Sequence, residues 1–357
     1  MILTIKIGSN VLTKDNGSLD QARMVALVGQ ISAIREMGHQ VLLVSSGAVA
    51  AGRSLVAEPK LKDTISQRQL WSALGQAQLI HIYSDLFSIY GIKCAQLLVT
   101  KEDFRDRKHY LNLTNCLEAL LEDGIVPIVN ENDAISVTEL MFTDNDELSA
   151  MVAAMSGASK LLILTNVDGI YNGHPDDENS TLIPLVEANA TGIEDNIHAT
   201  KSNFGRGGMV TKFNTARKMT AQGVEVIIAN GMREDIILDL LKKKDVPCTR
   251  FLASKKQSPV KKWIAQSEGF EKGAIVINQN AKEVLLAPTV ASLLPVGVVG
   301  VQGDFHKNDI VRIETESGER IGLGRSSFNA DRLRELMGKK GEHCVVHYDY
   351  LFIDNCE

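Results

Sequence analysis

Apolar and polar positions follow two patterns that alternate along the first two thirds of the chain. Short apolar runs predict strands that are buried on both faces, and longer segments with apolar residues at every third or fourth position predict amphipathic helices. Such alternation is typical of an α/β domain in which helices cover both faces of a mainly parallel sheet, a three-layer αβα sandwich. The predicted strands are 2–7, 40–44, 92–99, 125–129, 160–164 and 224–228, and the predicted helices are 24–37, 65–90, 109–121, 145–155 and 210–222.

A different pattern begins after residue 268. Short runs rich in Val and Ile are separated by glycines, and one segment, 330–337, has helical spacing. This series predicts a small β-barrel-like domain. We therefore expect an α/β domain over 1–250, a basic linker over 251–268 and the β-rich domain over 269–357. The predicted strands of the β-rich domain are 274–277, 284–286, 298–301, 310–313, 321–323 and 345–352.

Charge is distributed unevenly along the 357 residues. Residues 1–241 contain 20 basic and 29 acidic side chains, 242–262 contain 8 and 1, and 263–357 contain 10 and 14, which gives net charges of −9, +7 and −4. The basic stretch also contains Pro247 and Pro259, as expected of a connection between domains. A solvated linker and a nucleic-acid patch both fit this stretch, and the acidic domain that follows it favours the linker.

Composition excludes several classes of protein. Apolar residues make up 44% and charged residues 23% of the chain, as in globular rather than disordered or collagen-like proteins. No apolar run approaches the roughly 20 residues of a transmembrane helix. The first predicted strand leaves no room for a signal peptide, so we expect a cytoplasmic protein without membrane contact. The five cysteines form no CxxC pair, which indicates free thiols rather than a disulfide framework.

His343, Cys344 and His347 could suggest a metal site. They lie in a strand-like run, where positions i and i+4 need not converge as they do on a helix. We therefore predict no metal site made by protein side chains there.

Polar or glycine-rich segments follow four of the predicted strands. In an open parallel sheet, ligands bind beyond the carboxyl ends of the strands, so these segments hold the candidate binding residues. The first two carry small residues whose amides favour an anion such as phosphate. Two further segments, 143–146 and 205–212, begin helices and add an Asp-Asn-Asp sequence and a second lysine. The four strand exits are Lys6-Ile7-Gly8-Ser9-Asn10, Ser45-Ser46-Gly47-Ala48-Val49-Ala50-Ala51-Gly52, Asn130-Glu131-Asn132-Asp133 and Thr165-Asn166.

Together these segments predict a site for phosphoryl transfer. Two lysines and two amide-rich turns supply positive charge and N–H donors, and the acidic sequence can anchor a metal-bound nucleotide. Each segment alone could be structural, since glycines also cap helices and Asp and Asn also fill turns. The chain contains no GxxxxGK[ST] sequence, so a Walker-type nucleotide site is excluded.

The same segments, in the same order, resemble the motifs of glutamate 5-kinases in the amino acid kinase superfamily. Residues from about 269 to 352 resemble the PUA domain that many bacterial glutamate 5-kinases carry. The resemblance implies the amino acid kinase fold followed by a PUA domain. It also implies ATP-dependent phosphorylation of the side-chain carboxylate of L-glutamate to L-glutamyl 5-phosphate, the first step of proline biosynthesis. The segments that carry it are 6–9 (KIGS), 45–52 (SSGAVAAG), 126–134 (VPIVNENDA), 144–149 (DNDELS) and 206–212 (RGGMVTK).

The resemblance also implies roles for individual residues. Lys6 and Lys212 contact the transferred phosphoryl group. Asp146, the third implied catalytic residue, orients the lysines or a magnesium-bound nucleotide together with Asp144. The residues implied to bind glutamate are Ser46, Asp133 and Asn145, and those implied to bind ATP are Lys6, Gly8, Ser9, Thr165, Asn166, Arg206, Gly207, Gly208, Met209, Val210, Thr211 and Lys212.

One position departs from the family pattern. Relatives often have Asp after the Thr that matches Thr165, and this chain has Asn166. The departure leaves the nucleotide contacts at that position open, but not the reaction. The resemblance further implies Mg²⁺ bound with ATP, feedback inhibition by proline, a homo-oligomer built through kinase domains, and a downstream glutamyl phosphate reductase.

Two alternatives are open at this point. The first keeps the kinase chemistry and changes the acceptor to aspartate, N-acetylglutamate or a nucleotide. The second is an RNA-binding or RNA-modifying protein, since PUA folds often occur in such proteins. A domain of net charge −4 without an aromatic-rich strand lacks the basic face and the stacking surface that RNA binding needs.

Overall fold

The computed structural model describes residues 1–60, 63–105, 107–135, 142, 144–174, 177, 179–187, 208–253, 259–269, 271–287, 290–340 and 343–354. The chain divides into two compact units, Met1–Lys256 and Gln257–Glu357. None of the described helices combines the length and the apolar content that crossing a bilayer would require.

One eight-stranded sheet forms the centre of the first unit. Its strands are β1 (Ile2–Ile7), β2 (Gln40–Ser45), β3 (Cys94–Val99), β4 (Val126–Glu131), β5 (Lys160–Thr165), β6 (Leu185–Val186), β7 (Glu225–Asn230) and β8 (Cys248–Phe251). The strand order is β3-β4-β2-β1-β5-β7-β8-β6, and every neighbouring pair is parallel except β7 and β8. The predicted parallel sheet is confirmed, and β6 and β8 add an edge that the apolar pattern did not predict.

Helices cover both faces of this sheet. The described helices are α1 (Ser9–Leu12), α2 (Gln21–Glu36), α3 (Ala48–Leu55), α4 (Thr64–Ser88), α5 (Lys101–Arg105), α6 (Arg107–Glu122), α7 (Asn145–Met155), α8 (Met209–Ala221) and α9 (Ile236–Leu241). The sequence sets the ends of α2: the side chain of Asp20 accepts a hydrogen bond from the amide of Arg23, and Gly38 follows the helix at a φ of +83°.

Successive residues of the central strands pack into cores on opposite faces of the sheet. Leu162 of β5 belongs to the core that includes α2 and α4, whereas Ile163 belongs to the core that includes α7 and α8. In β1, Ile5 and Ile7 belong to the first of these cores. Because side chains alternate along a strand, Lys6 lies on the other face, towards α7 and α8.

The helices α3 and α4 cross with their backbones in contact. A Cβ on Gly52 would overlap the carbonyl of Trp71, and a Cβ on Gly75 would overlap that of Ala48. The crossing therefore requires glycine at both positions. Since α3 begins just beyond the exit of β2, the crossing holds the first turns of α4 beside that exit.

In the described part of the second unit, a five-stranded sheet packs with three α-helices. The elements are α10 (Pro259–Gln266), β9 (Gly273–Ile277), α11 (Gln279–Leu286), β10 (Val298–Gly303), β11 (Ile310–Thr315), β12 (Arg320–Arg325), α12 (Ala330–Leu336) and β13 (Leu351–Ile353). The strand order is β10-β9-β11-β12-β13, with β9 and β11 parallel and the other pairs antiparallel. Apolar side chains of the strands, α11 and α12 form one core.

Two strand predictions in this unit are wrong. Residues 284–286 end helix α11, whose start is capped by the side chain of Asn278. Of the run 345–352, only the end is in a strand, because a 3₁₀ turn at Tyr348–Tyr350 precedes β13.

Part of the segment that was predicted as a linker is folded. Helix α10 lies within 251–268, and its Trp263 and Ile264 are buried. The predicted domain boundaries at 250 and 269 stay predictions.

Candidate active site

Two lysines from distant parts of the chain meet at one carboxylate. Lys6 of β1 places its Nζ 2.6 Å from Oδ1 of Asp146, and Lys212 of α8 places its Nζ 2.9 Å from Oδ2. Asp146 is fully buried, and the lysines are only 6% and 8% exposed. Strand alternation turns Lys6 towards α7 and α8, whose first turns carry Asp146 and Lys212. The structure thus brings the three predicted catalytic residues together.

The two ammonium groups keep Asp146 ionised. Burial by itself raises the pKa of Asp146, because the charged form loses its hydration. Lys6 and Lys212 more than offset the burial and lower the pKa to about 2. Asp146 is therefore an anion at physiological pH, and it holds side by side two cations that would otherwise repel each other.

Asp144 connects the starts of α7 and α8. Its Oδ1 accepts hydrogen bonds from the amides of Asp146 (2.9 Å) and Glu147 (3.1 Å), as an N-cap residue does. Its Oδ2 accepts a hydrogen bond from the hydroxyl of Thr211 (3.0 Å). Burial and the nearby charge of Asp146 raise the pKa of Asp144. Asp144 thus positions the two helices that carry Asp146 and Lys212.

A chain of polar side chains lies at the exits of β2 and β4. The Nδ2 of Asn145 donates to Oγ of Ser46 (2.9 Å) and to Oδ1 of Asn130 (3.0 Å). Asn130 in turn donates from its Nδ2 to Oε1 of Gln76 on α4 (2.9 Å). Ser46 and Asn145, which were both predicted to bind glutamate, are therefore in direct contact.

The third residue predicted to bind glutamate, Asp133, faces α4. Its Oδ1 lies 3.0 Å from Nη2 of Arg68, and its Oδ2 accepts a hydrogen bond from Oγ of Ser72 (3.4 Å). The side chain of Asp133 is 10% exposed and that of Arg68 is 36% exposed. Arg68 is not among the predicted site residues, because no motif marks it. No local signal marks it either, because its partner Asp133 lies 65 residues later in the chain.

The residues predicted to bind ATP divide into several groups. Gly8, Ser9 and Thr165 line the same cleft as the two lysines. The amide of Gly8 is already engaged, since it donates to the carbonyl of Leu164 (3.0 Å). Asn166 is exposed, does not line this cleft, and accepts a hydrogen bond from Oγ1 of Thr165 (3.3 Å).

The glycine-rich segment before α8 is described only in part. Gly208 is the N-cap residue of α8. The predicted residues Gly208, Met209, Val210 and Thr211 lie at the start of this helix without lining the cleft, whereas Lys212 does line it. The predicted residues Arg206 and Gly207, and Thr143 of the acidic segment, lie outside the described residues.

The cleft has a volume of about 980 Å³. Its described lining carries four basic and four acidic side chains, so its formal charge is zero. A nucleoside triphosphate would add several negative charges to this lining. The balance therefore favours a nucleotide that arrives with a divalent cation. The charged residues are Lys6, Arg53, Arg68, Lys212, Glu131, Asp133, Asp144 and Asp146.

The acidic side chains offer little room for a metal ion held by the protein. Within the described part of the chain, no three His, Cys, Asp or Glu side chains are arranged to hold one. Both oxygens of Asp146 face lysines, and both oxygens of Asp144 accept hydrogen bonds. Because these carboxylate oxygens are already engaged, the site fits a cation that is held mainly by the phosphates of a nucleotide and by water.

Comparison with known proteins assigns both parts of the chain to families and finds relatives of nearly equal length. Residues 1–230 match the amino acid kinase family, and residues 273–347 match the PUA domain. The chain is 52% identical to the glutamate 5-kinase of Bacteroides thetaiotaomicron over 354 residues, which cover 99% of this chain and 98% of that protein. It is 46% identical to the glutamate 5-kinase of Chlorobaculum tepidum over 352 residues, which cover 98% of this chain and 97% of that protein.

Solved structures of lower identity share the fold. Carbamate kinase from Giardia lamblia bound to AMP-PNP matches with a TM-score of 0.53 and 16% identity, over 71% of this chain and 98% of that chain. An isopentenyl phosphate kinase matches with a TM-score of 0.50 and 16% identity, over 70% of this chain and 100% of that chain. At such identities the likeness shows the fold alone.

Proposed function

The chain belongs to the glutamate 5-kinase family of the amino acid kinases, and we propose that it transfers the γ-phosphoryl group of ATP to the side-chain carboxylate of L-glutamate. The product is L-glutamyl 5-phosphate, the first intermediate of proline biosynthesis. The observation that carries the proposal is the pair of lysines held by Asp146 in a cleft that also contains Ser46, Asn145 and Asp133.

The acceptor needs no general base. A glutamate side chain has a reference pKa of about 4.3, so it is already a carboxylate near neutral pH. The main barrier is the repulsion between this carboxylate and the phosphates that it must approach. A site for this reaction therefore has to supply positive charge in a fixed place.

Lys6 and Lys212 supply that charge. In a buried site, charges act through a lower effective dielectric constant than in water, so each ammonium group stabilises a nearby phosphoryl oxygen more strongly. Asp146 holds both groups before the nucleotide arrives, so they need little reorganisation during the reaction. Mg²⁺ bound to ATP would add positive charge between the phosphates.

Ser46, Asn145 and Asp133 suit a free amino acid. The Nδ2 of Asn145 has two protein acceptors, so its Oδ1 is the atom that suits a donor such as the α-ammonium group. The hydroxyl of Ser46 accepts from Asn145 and keeps its own O–H to donate to a carboxylate oxygen. Asp133 adds a negative charge for the ammonium group.

An assay of ADP release tests the proposal. The protein is incubated with MgATP and one acceptor at a time, namely L-glutamate, L-aspartate, N-acetyl-L-glutamate, carbamate or UMP. We expect kcat/KM for L-glutamate to exceed that for the other acceptors by at least about 100-fold, because buried polar groups would lose their partners with the wrong acceptor. A preference for another acceptor would refute the proposal.

Further proposals follow from the kinship with glutamate 5-kinases. They are a cytoplasmic location, feedback inhibition by proline, assembly into a homo-oligomer through the kinase domains, and delivery of the product to a glutamyl phosphate reductase. Light scattering on the full chain and on a chain that ends near residue 256, at the end of the first unit, tests the assembly. An unchanged oligomer would support assembly through the kinase domains.

A further inference from the structure

One face of α4 contacts the residues at the exit of β4. The contacts are made by three side chains of α4 that are spaced four residues apart. Gln76 accepts a hydrogen bond from Asn130, and Ser72 and Arg68 both contact Asp133. Gln76 and Ser72 are buried, with 6% and 3% exposed, whereas the side chain of Arg68 is 36% exposed. Arg68 therefore lies at the more exposed end of this helix face.

The guanidinium group of Arg68 has donors to spare. A guanidinium carries five N–H groups and no acceptor. Among the described residues, the hydrogen bond to Asp133 uses Nη2, and Nε is buried without a hydrogen-bond partner. A buried donor without a partner costs free energy unless a ligand or water satisfies it. Arg68 lines the cleft and its side chain is 36% exposed, so a ligand there can reach the exposed part of the guanidinium group.

A carboxylate that binds near Arg68 also lies near acidic side chains, so it needs a positive charge beside it. Asp133 lies at 3.0 Å, and Glu131 lines the same cleft. An α-carboxylate placed beside the α-ammonium site at Asp133 would meet like charges unless a cation stood next to it. Arg68 is that cation, and its planar fork of donors suits a carboxylate better than a single ammonium group does.

We propose that Arg68 binds the α-carboxylate of the amino acid acceptor while Asp133 faces its α-ammonium group. The four charges then alternate in sign. The pair Arg68 and Asp133 selects an acceptor that carries both charges, a free α-amino acid, over one whose amino or α-carboxyl group is blocked. This inference rests on the proposed function and adds a specificity-determining residue to it.

The test compares two acceptors that differ only at the α-carboxyl group. L-glutamate is measured against its α-carboxamide, which keeps the α-ammonium group and the side-chain carboxylate. The α-carboxamide serves as a substrate or, if it is turned over too slowly, as a competitive inhibitor whose Ki is determined. The readout is the ratio of the constants for the two compounds, which does not depend on the fraction of folded protein.

The variant Arg68→Met should lose the discrimination between them. We expect its kcat/KM for L-glutamate to fall by about 10- to 100-fold, as for the loss of a hydrogen bond between charged groups. The constant for the α-carboxamide and the KM for ATP should change by less than about threefold. Arg68→Lys should recover part of the discrimination, because it restores the charge without the fork.

Arg53→Met is the matched control. Arg53 lines the same cleft, but its guanidinium lies over the ring of Trp71, 4.6 Å from the ring centre. Its loss should leave the ratio between the two acceptors within about threefold of the parent value. A larger change would show that the total positive charge of the cleft, rather than Arg68, sets the preference for L-glutamate. Equal losses for both acceptors in Arg68→Met, or an unchanged constant for L-glutamate, would overturn the inference. A parent protein that does not phosphorylate L-glutamate would refute the proposed function instead.

Discussion

The two ends of the cleft hold their charges in different ways. At the lysine end, Asp146 and its two lysines are almost excluded from solvent, and each carboxylate oxygen faces an ammonium group. At the other end, where we propose that the acceptor binds, Asp133 pairs with Arg68, whose side chain is about one third exposed and keeps a buried donor without a partner among the described residues. This difference indicates that a buried, fully paired cluster fixes geometry, whereas a partly exposed pair with spare donors is suited to recognition.

Neutralising Asp146 should produce the largest effect. The substitution Asp146→Asn leaves Lys6 and Lys212 buried together without an anion, so we expect the free energy of unfolding at pH 7 to fall by about 3–5 kcal/mol. Urea unfolding measures the change. As a control, Asp239→Asn breaks a pair with the exposed Lys244 and should cost less than about 1 kcal/mol.

The pH dependence of the same difference sharpens this test. The pKa of Asp146 is lowered in the folded state, so its stabilising contribution is complete above about pH 4 and decreases as the pH falls towards 2. About half of the contribution should be lost at about pH 3. The stability gap between the parent and Asp146→Asn should therefore be smaller at pH 3 than at pH 7. A stability gap of the same size at both pH values would mean that the two lysines do not lower the pKa of Asp146.

Removing one lysine should affect turnover more than stability. Because Lys6 still pairs with Asp146, we expect Lys212→Ala to fold and to lower kcat by about 10²- to 10³-fold, as for the loss of one preorganised charge-stabilising donor. Steady-state kinetics with L-glutamate and MgATP measure the loss. Lys218→Ala, at an exposed position of the same helix, should leave kcat unchanged. Turnover near the parent rate in Lys212→Ala would remove this lysine from the mechanism.

Removing Asp133 should affect substrate binding rather than turnover. We expect Asp133→Ala to raise the KM for L-glutamate by about 10- to 100-fold, because the α-ammonium group loses a charged acceptor. The KM for ATP should change by less than about threefold. Initial rates with each substrate varied in turn separate the two constants. A rise in the ATP constant alone would show that the amino acid binds elsewhere in the cleft.

The smallest effect is expected at Asn166. Its side chain is exposed, and charges in water interact weakly. We expect Asn166→Asp, which restores the residue that relatives often have, to change the KM for ATP by less than about threefold. A larger decrease in the KM for ATP would indicate that this position contacts the nucleotide directly.

The sheet and the lysine end could be predicted because their signals are local. Runs of apolar residues mark β1 to β5 and β7, and the alternation along β1 is enough to turn Lys6 away from Ile5 and Ile7. The rule that ligands bind at the carboxyl ends of parallel strands then places Asp146 and Lys212 near it. Helix α7 has the same bounds in the prediction and in the structure.

The wrong strand prediction at 284–286 and the missed contact of Asp133 have a different physical origin. A short apolar run such as 284–286 fits a strand and a helix equally well. The side chain of Asn278, which caps the start of the helix, is the feature of the sequence that favours the helix. The partner of Asp133 could not be predicted because Arg68 lies 65 residues earlier in the chain. Its position depends on the crossing of α3 and α4 at Gly52 and Gly75, and this crossing is a tertiary property.

The proposed function requires that L-glutamate is phosphorylated on its side-chain carboxylate. The most direct measurement traps the acyl phosphate with hydroxylamine during turnover of L-glutamate and MgATP and identifies the resulting hydroxamate by mass spectrometry and NMR. We expect the γ-hydroxamate in an amount equal to the ADP released. ADP release without a hydroxamate, or formation of the α-isomer, would contradict it.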